Sequence, residues 1–267
     1  MSRVLIVEPY GSDSHRAWAE GLATHLDHDV RTIIDRPQRW RWALRYGAVA
    51  LAQQIDRLCA DGWVPEVAII SGMVHTSALV GLARDSLRNA RIVSYFHETQ
   101  LRYPDFDVAG RQRVASDEFA LVNASSMAVS DVSVFNSAYH RDEAMAGLVR
   151  LFSDKPDAAP SVATRVLSIG IDVAPRAPQT SSNELPLIVW NHRWDHDKNP
   201  QGFFRALEAV EHLSWRLAVV GDNERIDPQE FNMARERFAD RIEHWGYLER
   251  ASYVAVSYTH LTLPTKA

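Results

Sequence analysis

The sequence runs to 267 residues, 46% hydrophobic and 24% charged, enough to bury one large core or two modest ones. A formal net charge of −5 excludes a bulk basic field, so any nucleic-acid contact must come from a local patch. The lone Cys59 has no internal partner, and the opening "MSRVLIVEPY" is too short for a signal peptide or a membrane span. A soluble, cytoplasmic protein is expected.

Short β-branched runs alternate with amphipathic stretches along the chain. In order they predict a strand over 3–8, a helix over 14–26, a strand over 30–34, a helix over 39–60, a strand over 67–71 and a helix over 76–87. Then follow a strand over 91–95, a helix over 111–126, a strand over 132–135, a helix over 138–149 and a strand over 165–169. Strands separated by crossover helices imply a parallel sheet covered on both faces. The stretch "APRAPQTSSNELP", 174–186, holds three prolines and little apolar content, and reads as a linker. A second α/β unit restarts beyond it, with strands over 187–190 and 217–220 and helices over 200–213 and 228–239.

The segment "IVWNHRWDHDKNP", 188–200, joins a strand to a helix: Asn199 suits an N-cap and Pro200 the first helical position. Such loops sit at the carboxyl edge of a parallel sheet, where free helix N–H groups favour an anion. Arg193 and Lys198 add a guanidinium fork and a compact ammonium, a pair suited to a diphosphate. Solvated surface charge is the plainer reading, and His192, Asp195, His196 and Asp197 are metal ligands by type, although the helix that would align them starts later.

Other polar clusters follow other strands. Gly11 permits a close turn and Ser14 can cap the next helix. His97 and Glu98 leave the strand over 91–95 as adjacent ionisable groups, with a structural histidine as the alternative to a catalytic one. "FNSAYHRDE" follows the strand over 132–135, and Asp172 follows Gly170, either as a ligand contact or as a turn residue. The segment "RPQRWRWALRY", 36–46, carries four arginines and three aromatics. It suits single-stranded nucleic acid through phosphate contacts and stacking, or else an amphipathic helix with its tryptophans in the core.

Taken together, "VLIVEPYGSDSHRAWAEGL", "RPQRWRWALRYGAVALA", "SYFHETQLRYP", "VFNSAYHRDE", "IGID" and "WNHRWDHDKNPQGFFRAL" resemble the tRNA-queuosine alpha-mannosyltransferases, also called glycosyltransferase-like domain-containing protein 1. The resemblance implies an α/β GT-B fold, with two Rossmann-like domains, parallel sheets and an active site in the cleft between them. It also implies transfer of mannose from GDP-mannose to queuosine in tRNA, with no cofactor and no metal. On this resemblance, Arg193 and Lys198 hold the donor diphosphate, with Gly11 and Asp172 on the donor as well. His97 is the first choice for a catalytic group, and Glu98, Arg39, Arg41 and Arg45 face the acceptor.

The expected organisation is an acceptor-side domain over 1–173, the linker over 174–186 and a partial donor-binding domain over 187–255. Relatives carry an acidic "EFFG" segment farther on, whereas this sequence closes on "VSYTHLTLPTKA", 256–267, set apart as a non-native tail. A chain so truncated is expected to turn over no sugar nucleotide. The alternatives are a GT-B enzyme acting on a lipid or polysaccharide, a metal-dependent hydrolase, and a non-catalytic RNA-binding module.

Overall fold

In the computed structural model, residues 1–37, 39–101, 118–170, 185–194, 198–221 and 229–249 are described, with the backbone alone at 105–106, 112–113 and 117. Strand β1, Arg3–Glu8, is buried from Val4 onward, as a central parallel strand must be. It leads into α1, Asp13–His25, then β2, Asp29–Ile34, and the 20-residue α2, Trp40–Cys59. After β3, Val67–Ser71, come α3, Thr76–Leu82, α4, Arg84–Leu87, and β4, Arg91–Phe96. A small antiparallel pair follows, β5 at Asp105–Phe106 and β6 at Gln112–Arg113. Helix α5, Asp117–Val129, β7, Val132–Phe135, α6, Ala138–Leu151, and β8, Thr164–Val166, complete this part.

Six of these strands form one parallel sheet in the order β2-β1-β3-β4-β7-β8. From β1 the chain moves outward to β2 and then crosses back to β3 on the other side of β1. The strand order therefore reverses between β1 and β3, and at such a reversal the carboxyl ends of the strands border a ligand-binding crevice. Alternation along β1 anchors both covering layers. Leu5 and Val7 pack with Leu51 and Ile55 of α2, Leu79 of α3 and Leu87 of α4, whereas Val4 and Ile6 pack with Trp18 and Ala19 of α1. Farther along the sheet, Phe96 and Phe135 pack with Ala120, Ala124 and Met127 of α5 and with Ala144 and Leu148 of α6.

The chain divides into two units, Met1–Asp172 and Val173–Ala267. In the second, β9, Leu187–Asn191, α7, Pro200–Ala209, β10, Arg216–Val220, α8, Gln229–Arg237, and β11, Ile242–Gly246, build a parallel sheet of order β11-β10-β9. Its core is aromatic, with Trp190, Trp194, Phe204, Trp215, Phe231 and Phe238 all buried. Among the described residues, no helix is long and apolar enough to cross a membrane.

Several elements depart from expectation, each for a local reason. The helix expected over 76–87 breaks at Ala83, whose ψ of 31° leaves the helical range. The helix expected over 200–213 stops at Ala209, because the Trp215 indole donates to the carbonyl of Val210 at 2.9 Å and closes the end. Where a helix was expected from 111, residues 112–113 are strand and α5 begins at Asp117. Strand β8 is only three residues long, matched to Ser133–Phe135 of β7. Strand β11 was not predicted at all, since Ile242 and Trp245 are its only strand-favouring residues. Most of the linker expected over 174–186 lies outside the described residues.

Candidate active site

Glu8, the last residue of β1, is fully buried at the carboxyl edge of the six-stranded sheet. A carboxylate there must have its oxygens satisfied. Oε1 accepts from the Tyr10 N–H at 2.8 Å, and Oε2 lies 3.0 Å from His15 Nδ1, in a hydrogen bond, and 3.8 Å from His97 Nε2. His15 comes from the first turn of α1, and His97 directly follows β4. The three side chains thus reach one point from two strand ends and a helix, beside the reversal of strand order. Trp18 and Tyr95 wall the His97 ring, with centroids 4.7 and 5.0 Å away, and the His15 ring is 4.4 Å away.

Burial pushes the His97 imidazole down to about 3, and the like charges of His15 and His140 push it the same way. His97 is therefore neutral near neutral pH, with a side chain 11% exposed and an Nε2 that has no hydrogen-bond partner. Its backbone is held from below. Asn136 Nδ2 donates to the His97 carbonyl at 2.9 Å, and Asn136 Oδ1 is bonded in turn to His140 Nδ1 at 3.0 Å. The Gln100 N–H donates to Asn123 Oδ1 at 2.6 Å, fixing the loop beyond. Burial lowers the affinity of His140 for a proton as well.

Of this group only His97 stood out in the sequence. Glu8, His15, Asn136 and His140 did not, although a carboxylate ending an apolar strand, seven residues before a histidine, was a usable signal. Glu98, assigned to the acceptor, is exposed and accepts from Gln100 Nε2 at 3.4 Å. Ser12, not Ser14, is the N-cap of α1, and its side chain makes no capping bond. Gly11 is needed for space, since a Cβ there would run into the Asp35 carbonyl oxygen at the end of β2. Asp13 puts a carboxylate in the first turn of α1, which opposes binding of an anion at that helix end.

The carboxyl edge of the second sheet is built differently. Trp194 is buried and stacks on Phe231 at 4.5 Å, which pins the loop after β9 into the aromatic core. Arg193 beside it is exposed and Lys198 is half-buried. Asn199 caps α7 as expected: with φ of 51° it accepts from the Gly202 N–H at 3.1 Å. Gly221, at φ 115°, follows β10 so closely beneath the His192 carbonyl that no side chain fits. Of the residues weighed as metal ligands, His192 is exposed and packs edge-on to Trp190; Asp195, His196 and Asp197, like Asp172, lie outside the described residues.

Residues 3–172 match the family model for the N-terminal region of tRNA-queuosine alpha-mannosyltransferase. The chain belongs to that family. It is also 25% identical to the tRNA-queuosine alpha-mannosyltransferase of Drosophila melanogaster over 276 aligned positions, covering 96% of this chain and 71% of the fly protein. Among solved structures, the sucrose-phosphate synthase of Thermosynechococcus elongatus superposes with a TM-score of 0.66 at 14% identity, over 97% of this chain and 74% of that one. A glycosyltransferase from Rickettsia africae gives 0.57 at 16% identity, over 96% and 71%. Both are GT-B proteins, and the likeness establishes that fold here. The chain is a glycosyltransferase.

Within the family region, the arginine strip divides into two roles. Arg45 makes a two-pronged pair with Glu118 of α5, at 2.7 and 2.8 Å, and lies over the Phe119 ring. Trp40 packs on the same ring at 5.2 Å and carries the Arg41 guanidinium on its own face at 4.4 Å. These contacts tie α2 to α5. Trp42 and Tyr46 instead point outward, 43% and 56% exposed, with their rings 6.0 Å apart, and Arg39 is exposed at the N-cap. Trp40 thus follows the amphipathic-helix reading, whereas Trp42 and Tyr46 lie on an outer face of the same helix.

Proposed function

We propose that this glycosyltransferase moves mannose from GDP-mannose to queuosine in tRNA. The observation that carries the reading is the family match over residues 3–172, which spans the strands and loops that supply Glu8, His15, His97 and the arginine strip. The naming of the fly relative as a tRNA-queuosine alpha-mannosyltransferase supports both the sugar and the acceptor.

In glycosyl transfer, positive charge develops on the sugar and negative charge on the departing diphosphate. Arg193 and Lys198 are assigned to the diphosphate, where a fork and a compact cation stabilise the leaving group without a proton transfer. His97, kept neutral by burial and with 11% of its side chain exposed, offers a fixed imidazole for hydrogen bonding to a hydroxyl of the reacting sugars. Glu8 and His15 hold the wall against which that ring sits. Arg39, Trp42 and Tyr46 give the RNA a cation and two π-faces, which suits unstacked loop bases.

The deciding experiment uses a chain in which residues 256–267 are replaced by a relative's carboxyl-terminal segment, and incubates it with radiolabelled GDP-mannose and either queuosine-bearing tRNA or the same tRNA carrying guanosine at that position. Label is expected in the queuosine-bearing RNA alone. Equal labelling of both RNAs, or preferential transfer from UDP-glucose, overturns the reading. Label entering a lipid or polysaccharide fraction instead would assign the enzyme another acceptor.

A further inference from the structure

The Glu8, His15 and His97 cluster has a second capacity that glycosyl transfer does not use. Their ligand atoms, one carboxylate oxygen and two imidazole nitrogens, all lie within 4.8 Å of one another. A four-coordinate zinc-class ion with bonds of about 2.0–2.1 Å sets its ligand atoms about 3.3 Å apart. The observed Glu8 Oε2 separations, 3.0 Å to His15 Nδ1 and 3.8 Å to His97 Nε2, bracket that value. One carboxylate with two imidazoles is also a donor set that such ions favour, with a fourth position left open.

We propose that Glu8, His15 and His97 bind one zinc-class divalent cation at the carboxyl edge of the first sheet. Two further features support this. Nε2 of His97 is buried with no hydrogen-bond partner, so it meets an ion without first breaking a protein contact. The second Glu8 oxygen is already held by the Tyr10 N–H and the His97 backbone by Asn136, so two of the three ligands are oriented before the ion arrives. The transfer proposed above uses no metal, so the ion is not a reactant there; it fixes the His97 ring through Nε2 on its Glu8 side. Binding itself does not depend on the donor or acceptor assigned above.

The test titrates zinc into the whole chain by calorimetry and cobalt(II) by visible absorption, in wild type, His15→Gln, His97→Gln and the distant His28→Gln. One ion per chain is expected, with micromolar affinity and the intense visible bands of four-coordinate cobalt. His15→Gln and His97→Gln should each weaken binding at least tenfold, and His28→Gln should leave it unchanged. Because Glu8→Gln buries an altered group and can impair folding, the partly exposed His15 carries the decision. Binding no tighter than millimolar overturns the proposal. So does binding that survives both substitutions, since the ion would then sit on other histidines.

Discussion

At the carboxyl edge of the first sheet Glu8 is buried and hydrogen-bonded to His15, with the largely buried His97 packed beside them, whereas at the edge of the second Arg193 stands exposed on a loop pinned by Trp194. Both edges follow parallel strands and precede helices, so topology alone does not set them apart. What separates them is which side chain is committed to the core. In the first unit Glu8 is itself part of the buried layer, and it draws His15 and His97 inward. In the second, Trp194 takes the buried place and leaves its charged neighbour to solvent. A fixed, dry group suits positioning at a reacting centre, and an exposed cation suits gathering a charged ligand.

Removing the enclosed nitrogen is the most direct way to break this comparison. If the first edge is where the sugars react, His97→Gln, which keeps most of the ring's space filled, lowers kcat of the extended chain by on the order of 10²-fold while donor affinity stays near wild type. Steady-state transfer of labelled sugar measures it. A variant with full turnover places the chemistry elsewhere.

The exposed edge is tested by binding. Arg193→Ala and Lys198→Ala each should cost roughly 1.5–3 kcal/mol of GDP-sugar affinity in calorimetry, the worth of a charge-assisted phosphate contact. Wild-type donor affinity in both variants would sink the clamp assignment.

Acidity sharpens the same contrast. His97 holds its proton less well folded, near pH 3, than unfolded, near 6.5. Between those values the unfolded chain carries more protons, so stability is complete above about 6.5 and is lost as pH falls through the window. His97→Gln should flatten that acid limb in thermal unfolding curves, whereas Arg193→Ala should leave its slope alone. Parallel limbs in wild type and His97→Gln would mean that the buried ring is not what titrates.

The smallest effects are expected on α2. Replacing Arg39 and Arg41 with Gln should weaken tRNA binding several-fold and lower the salt slope by about 0.7–0.9 per lost phosphate contact. Arg45→Gln should change neither, because that guanidinium is already paired with Glu118. Filter binding at several salt concentrations separates the two cases, and an equal response from all three would show that the Glu118 pair opens to the RNA.

The sequence by itself determined the alternation of strands and helices, the start of α7 at Asn199 and Pro200, and the motifs that carry the family. These are local properties, set by β-branched runs, capping chemistry and backbone preference within a few residues. It also singled out His97, though not its partners. The break at Ala83, the early end of α7 under the Trp215 indole, and β11 were decided by neighbours distant in sequence. The same holds for the site. That Glu8 meets a histidine seven residues on and another 89 residues away, and that Arg45 turns to Glu118 while Trp42 faces water, depends on which strands and helices lie side by side. Burial and pairing are properties of that arrangement, and they make His97 neutral and leave its Nε2 without a hydrogen-bond partner.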